Sequence, residues 1–212
     1  VKSAIFYDYP PADGDVFGQG RRERIAGLTD LYPHVMNGAN FQDHAASLSD
    51  TDVIFATWGM PRFTEHHFAS MPKLRAVFYA AGNVKSFAAP LVEHDITLVS
   101  AWGINAIPVS EMCLSQVLLS LRGYFRAVRN YRSVKTHDAK VFPRTGAMDE
   151  TVGLIGLGKI GARLRYLLSD YPVKVIAYDP FLTPERVKEL HVELVSLQDV
   201  FERSLVVSNH TP

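Results

Sequence analysis

A run of apolar residues that ends in three regularly spaced glycines constrains the fold of this chain more than any other feature. Residues 151–155 read Thr-Val-Gly-Leu-Ile, and Gly156, Gly158 and Gly161 follow with the spacing Gly-x-Gly-x-x-Gly. Beyond the last glycine, apolar residues recur at helical spacing through Leu168. A buried strand, a tight turn and a helix start in this order are typical of a dinucleotide-binding fingerprint.

Each glycine of the fingerprint has its own physical reason. The first permits the tight turn, the second lets a pyrophosphate approach the backbone, and the third lets the helix pack closely against the strand. The backbone N–H groups at the start of the helix, with the positive end of its dipole, would hold the phosphates. We therefore predict that the coenzyme is bound by Gly156, Gly158, Lys159, Ile160 and Gly161.

An acidic residue follows the next apolar run and predicts which coenzyme is bound. Residues 173–178 are strand-like and end at Asp179-Pro180, with Asp179 placed 18 positions beyond Gly161. A carboxylate there accepts hydrogen bonds from the adenosine ribose hydroxyls and repels a 2′-phosphate. We predict NAD rather than NADP, with Asp179 and Pro180 at the site. The alternative is an ordinary α/β turn in which these two residues only end a strand.

The residues before the fingerprint predict a second α/β lobe. Short apolar runs such as 53–56 and 76–79 alternate with helical segments. Continuous apolar runs indicate strands that are covered on both faces, and therefore a parallel sheet of the doubly wound α/β class. A long helix, predicted to start at Ile107-Pro108 and to continue to Tyr131, would connect the lobes. The predicted domains are residues 1–102 and 103–212.

Composition excludes several classes of function. The 212 residues contain 22 basic and 22 acidic side chains, a balance that argues against nucleic-acid and membrane partners. No uninterrupted apolar run approaches the roughly 20 residues of a membrane span. The one cysteine, Cys113, suits a reducing cytoplasm. The adjacent Glu65, His66 and His67 would point in different directions, so we predict no metal site.

Small residues at the end of the strand 76–79 suggest a place for a substrate. Ala81, Gly82 and Asn83 follow this strand and precede a helical segment, so backbone N–H groups are available at the carboxyl end of the strand. Open α/β sheets bind ligands at that edge, and such a turn suits a carboxylate. The alternative is an ordinary strand-to-helix turn.

Ordered motifs along nearly the whole chain resemble those of the D-isomer-specific 2-hydroxyacid dehydrogenases, relatives of phosphoglycerate dehydrogenase and formate dehydrogenase. The matching segments are Leu74–Asn83, Asn105–Glu111, Val152–Gly161, Asp179 and Asn209–Pro212. Two departures stand out: Ser110 replaces the usual alanine, and Ser204-Leu205 stands where the family generally has an aspartate. The resemblance implies a flavodoxin-like substrate lobe followed by an NAD-binding Rossmann lobe.

The resemblance also implies partners and further site residues. Ala81, Gly82 and Asn83 would bind the carboxylate of a small 2-oxo- or 2-hydroxyacid, and the long helix would form a homodimer contact. The additional coenzyme-binding residues that it implies are Val109, His210, Thr211 and Pro212. No catalytic residue is assigned, because the family's catalytic arginine, glutamate and histidine come from a part of the protein that this sequence does not contain.

After Asp179 we predict a helix, a strand, a second helix and a second strand, which are Pro184–Leu190, Val192–Val195, Leu197–Glu202 and Leu205–Ser208. These segments make about half of a Rossmann sheet, so Val152–Ile155 would keep an unpaired edge on the side of the other half. We expect a dehydrogenase that is truncated at its C-terminus and inactive on its own. Two alternatives remain: a non-catalytic NAD sensor or corepressor-like relative, and a naturally truncated product that persists as a subunit of an assembly.

Overall fold

The computed structural model describes residues 1–8, 16–131 and 146–211. Backbone contacts divide the chain into two compact units, Val1–Asn105 and Ala106–Pro212. The boundary between these units lies three residues after the predicted one.

The first unit is a parallel α/β lobe. Its strands are β1 (Lys2–Phe6), β2 (Asp30–Met36), β3 (Val53–Ala56), β4 (Ala76–Tyr79) and β5 (Thr97–Ser100), and its helices are α1 (Arg21–Leu28), α2 (Phe41–His44), α3 (Glu65–Ser70) and α4 (Ala88–Glu93). The strands are parallel and lie in the order β2-β1-β3-β4-β5. This is the flavodoxin-like order, so the predicted fold of this lobe is confirmed.

The two faces of this sheet are not equally covered. One face buries the main core, which includes Phe6, Ile54 and Val77. On the other face Ile5, Phe55, Phe78 and Val99 are neighbours in the strand register. Ile5 is buried, but Phe78 is 40% exposed and Val99 46% exposed. The prediction that apolar runs are covered on both faces is therefore wrong for β4 and β5.

The second unit holds the Rossmann-like sheet. Its strands are β6 (Thr151–Ile155), β7 (Lys174–Tyr178), β8 (Glu193–Leu194) and β9 (Val206–Asn209), and three of its helices are α7 (Lys159–Leu167), α8 (Pro184–Leu190) and α9 (Leu197–Arg203). The parallel order is β8-β7-β6-β9, which corresponds to the 3-2-1-4 part of the classic sheet.

One sequence prediction about this sheet is wrong. β6 is not an edge strand, because it pairs with β7 on one side and with β9 on the other. The chain after α9 crosses to the far side of β6, so that β9 is the first strand of the second half. In the described sheet the edge strands are β8 and β9.

The connecting helix begins earlier than predicted. Helix α5 spans Trp102–Leu121 with Pro108 inside it, and Gly123, with φ of +71°, separates it from α6, Tyr124–Asn130. The N–H of Asn105 already donates to the carbonyl of Ala101, and a proline near the start of a helix removes only one such bond.

Helix α5 also has the length and composition of a membrane span, with a mean hydropathy of 1.4. One helix of this kind is weak evidence, because the core helices of soluble proteins pass the same test. The absence of a membrane partner therefore stays a prediction.

Candidate functional site

The glycine-rich turn between β6 and α7 is built for close backbone packing. Gly156 has a φ of +82°, and a Cβ on it would lie 3.2 Å from the carbonyl carbon of His210. A Cβ on Gly161 would collide with the carbonyl oxygen of Gly156. These two positions require glycine for the fold itself.

Gly158 is different, because nothing in the fold requires a glycine there. Apart from the adjoining backbone, no atom of the described chain lies within 4 Å of the place that its Cβ would occupy. The N–H of Ala162 makes the first bond of α7, to the carbonyl of Gly158 at 2.9 Å. The earlier N–H groups of a helix have no partner within the helix, and they suit an anion in front of it. The open space at Gly158 therefore fits a pyrophosphate.

The carboxylate of Asp179 lies against the same turn. Its Oδ2 accepts a hydrogen bond from the N–H of Leu157 at 2.7 Å, and its Oδ1 accepts one from the N–H of Phe181 at 2.9 Å. A carboxylate has about four acceptor positions, so capacity remains for ribose hydroxyls. Asp179 is half-buried and Pro180 is exposed beside it.

His210 supports the turn from the end of β9. Its N–H donates to the carbonyl of Ile155 at 2.8 Å, and its Nε2 lies 3.0 Å from the Ser208 hydroxyl. The ring lies against the third glycine, with Cδ2 3.3 Å from the place of a Cβ on Gly161. Burial lowers the pKa of His210, so the ring is neutral at pH 7. Because of these contacts, His210 has a packing role in the second unit.

The remaining residues that the sequence predicts to bind the coenzyme are Thr211, Pro212 and Val109. The Thr211 N–H donates to Oδ1 of Asn209 at 3.1 Å, and Pro212 lies outside the described residues. Val109 is exposed on α5. Two residues later, Glu111 lies 3.9 Å from the guanidinium of Arg163 on α7, so α5 and the fingerprint helix are ion-paired.

The predicted substrate turn lies at the carboxyl end of β4 in the first unit. The Ser100 hydroxyl lies 2.9 Å from the carbonyl oxygen of Ala81 and 2.8 Å from that of Gly82. Oδ1 of Asn83 accepts the N–H of Lys85 at 3.0 Å. Within the described chain the N–H groups of Gly82 and Asn83 have no hydrogen-bond partner, which suits them to bind an anion.

The structure adds Asn105 to this turn. Its amide nitrogen lies 3.2 Å from the place of a Cβ on Gly82, so a neutral side-chain donor stands beside the two backbone donors. The sequence placed Asn105 within a motif but assigned it no role. Only the pairing of β4 with β5 brings the first turn of α5 to this turn.

The adjacent Glu65, His66 and His67 bind three separate partners. Glu65 contacts His94 at 3.1 Å, and Nε2 of His66 lies 2.7 Å from Oε1 of Gln42. Nδ1 of His67 accepts the N–H of Thr64 at 3.2 Å. Among the described residues no group of three or more His, Cys, Asp or Glu side chains is arranged to hold a metal ion.

Residues 114–212 match the family model of the D-isomer specific 2-hydroxyacid dehydrogenase, NAD binding domain. Over these residues the chain is similar to this family. The matched domain is an NAD-binding domain, and the open turn at Gly158 next to Asp179 fits NAD.

Similar proteins are named as dehydrogenases or oxidoreductases. D-3-phosphoglycerate dehydrogenase from Mycobacterium tuberculosis is 32% identical over 147 residues, which are 68% of this chain and 27% of that protein. A phosphoglycerate oxidoreductase from Rhizobium etli has a TM-score of 0.71 and 22% identity over 97% of this chain and 65% of that one. D-lactate dehydrogenase from Aquifex aeolicus, solved with NAD and lactic acid, has a TM-score of 0.69 and 20% identity over 99% and 60%.

The chain thus spans about a quarter of the length of the curated relative and somewhat less than two thirds of the solved chains. At these identities the structural likeness shows the dehydrogenase fold. The relatives named above give no support to the alternative of a non-catalytic sensor.

Proposed function

We propose that the protein is an NAD-dependent oxidoreductase that interconverts a D-2-hydroxyacid and its 2-oxoacid. The observation that carries the proposal is the fingerprint turn, in which Gly158 leaves open space at the start of α7 and the carboxylate of Asp179 binds the N–H of the preceding residue, Leu157. The first unit supports it with the N–H groups of Gly82 and Asn83, which have no hydrogen-bond partner among the described residues and where a carboxylate fits.

Different residues of the chain would bind the coenzyme and the substrate. The N–H groups at the start of α7 hold the pyrophosphate, and Asp179 accepts the ribose hydroxyls. Gly82, Asn83 and the amide of Asn105 hold and orient the substrate carboxylate. NAD, when bound, supplies the hydride acceptor for the carbon that carries the hydroxyl.

We also propose that these 212 residues do not catalyse hydride transfer on their own. The reaction needs an acid/base near the substrate oxygen and a cation on its carboxylate. No histidine of the described chain lies in the loops that follow β1, β3, β4 and β5 at the carboxyl edge of the first sheet. His210 packs against the glycine turn of the second unit, and losing groups that act as a unit removes many orders of magnitude in rate.

Binding and turnover test the two statements separately. A chain whose mass confirms 212 residues is titrated with NAD and NADP by calorimetry, and NADH oxidation is assayed with glyoxylate, pyruvate and hydroxypyruvate. We expect NAD binding without turnover above background. Failure to bind NAD would overturn the dehydrogenase proposal, and turnover would overturn only the proposed inactivity.

A homodimer is the assembly that we propose for the protein. Helices α5 and α6 expose many apolar side chains, more than solvent-facing helices usually carry. The exposed apolar residues of these helices include Ile104, Met112, Leu119, Tyr124, Phe125 and Val128. Sedimentation at micromolar concentration should give a dimer, and a monomer would contradict the proposal.

A further inference from the structure

The only two tryptophans of the chain lie on either side of the substrate turn. In the parallel register Ala56 of β3 is paired with Tyr79 of β4, and Tyr79 is paired with Ser100 of β5. Trp58 stands two residues after Ala56, and Trp102 stands two residues after Ser100. The loop from β4, which carries Gly82, therefore leaves the sheet between the two tryptophans.

The distance between the two backbones that carry the tryptophans suits the binding of a flat ring. Neighbouring strands are about 4.8 Å apart, so the backbones that carry the two indoles are separated by about 10 Å. Trp58 is 47% exposed and Trp102 is 54% exposed. The Cα of Trp102 lies 4.0 Å from the place of a Cβ on Gly82, so the backbone that carries this indole is next to the proposed carboxylate donors.

Charged side chains of both signs lie in the loops at this edge. The loop that carries Trp58 packs on the chain end of β1, because a Cβ on Gly59 would collide with the backbone of Asp8. Asp8 is exposed, and its carboxylate would repel a phosphate. A phosphate would instead need Arg62 or Lys85, which are exposed in the loops that follow β3 and β4.

We propose that Trp58 and Trp102 bind the side chain of the substrate, and that the substrate is a 2-hydroxyacid with an aromatic side chain. Aromatic rings attract one another in offset-stacked and edge-to-face arrangements, and tryptophan offers the largest apolar surface for such contacts. The substrate carboxylate then lies on the turn at Gly82 while its ring lies next to the indoles. This inference rests on the proposed function and specifies its substrate class.

Intrinsic fluorescence tests the inference directly, because both fluorophores lie at the proposed site. The 212-residue chain with NAD is titrated with D-3-phenyllactate, D-lactate and D-3-phosphoglycerate, and calorimetry provides a second measure of affinity. The variants are Trp58→Ala and Trp102→Ala. Phe201→Ala removes a similarly exposed aromatic from α9 in the other unit and serves as the control.

We expect D-3-phenyllactate to bind at least about 10-fold more tightly than D-lactate, since a single buried methylene already changes binding by this factor. Each tryptophan variant should weaken the binding of D-3-phenyllactate about 10-fold and the binding of D-lactate by a smaller factor. Phe201→Ala should change the affinity for neither acid. Equal affinities for the two acids, or tighter binding of D-3-phosphoglycerate, would overturn the inference but leave the proposed function standing. Binding of none of the three acids would overturn both.

Discussion

The carboxylate of Asp179 accepts a hydrogen bond from the backbone N–H of Leu157 at 2.7 Å. This bond joins the end of β7 to the middle of the glycine-rich turn, and Leu157 itself is buried. The residue that the sequence assigns to the coenzyme's ribose therefore also fixes the backbone that we propose to bind the pyrophosphate. Asp179 therefore has a structural role beside its proposed binding role, and two substitutions separate the two roles.

Asp179→Ala should lower the free energy of unfolding by about 1–3 kcal/mol, because the buried N–H of Leu157 loses its acceptor. Asp179→Asn keeps an oxygen acceptor and should cost less. It removes the negative charge, however, so the preference for NAD over NADP should fall in both variants. Urea unfolding and calorimetric titration with the two coenzymes measure these effects. Equal destabilisation by both substitutions, or equal wild-type affinity for NAD and NADP, would contradict this account.

Alanine substitutions at Gly158 and Gly161 can likewise be compared, because one should affect NAD binding and the other the stability of the fold. Gly158→Ala places its Cβ in open space, so it should cost less than about 1 kcal/mol of stability but weaken NAD binding at least 10-fold. Gly161→Ala drives its Cβ into the carbonyl of Gly156 and should cost about 1–3 kcal/mol or more. Urea midpoints and NAD titrations check both variants. Strong destabilisation by Gly158→Ala would mean that the fold, and not the ligand, requires that glycine.

Secondary structure was predictable from the sequence where the residues of a segment determine that structure by themselves. The strands Val53–Ala56 and Ala76–Tyr79 and the helix Pro184–Leu190 have the predicted bounds. Thr183 caps that helix by accepting the N–H of Arg186, and Pro184 occupies its first turn. In these segments apolar pattern, cap and proline all favour the same structure.

Pairing between distant segments was not predictable in the same way. The sequence predicts a strand near Leu205–Ser208 but does not say on which side of β6 it pairs, and the structure places β9 on the side that was expected to be empty. Pro108 suggested a helix start, although the helix begins at Trp102. Asn105 lies beside Gly82 in the substrate turn only because β4 pairs with β5.

The substrate turn gives a third prediction. Gly82→Val adds side-chain atoms where the Asn105 amide already lies 3.2 Å away, so the amide must move from the turn. The affinity for D-lactate should fall about 10-fold or more, while the affinity for NAD should stay nearly unchanged because Asp179 and the fingerprint belong to the other unit. Asn105→Ala should lower D-lactate affinity without the steric effect. A parallel loss of NAD binding in Gly82→Val would indicate a structural role for the turn.

Two half-buried histidines predict how stability depends on pH. His67 lies between the rings of Phe41 and Phe63, at 4.3 and 4.8 Å between ring centroids, and burial lowers its pKa below the ordinary 6.5. Burial lowers the pKa of His210 below 6.5 as well.

Because both folded-state pKa values lie below that of the unfolded chain, the unfolded chain binds more protons as the pH falls below about 6.5. The stability associated with these neutral rings is therefore fully present above pH 6.5 and is lost as the pH falls through the folded-state pKa values. Urea unfolding at pH 7.5 and 5.5 should give a lower free energy at pH 5.5, and the double variant His67→Gln and His210→Gln should show a smaller difference between the two values. An unchanged difference in the double variant would assign the pH dependence to other groups.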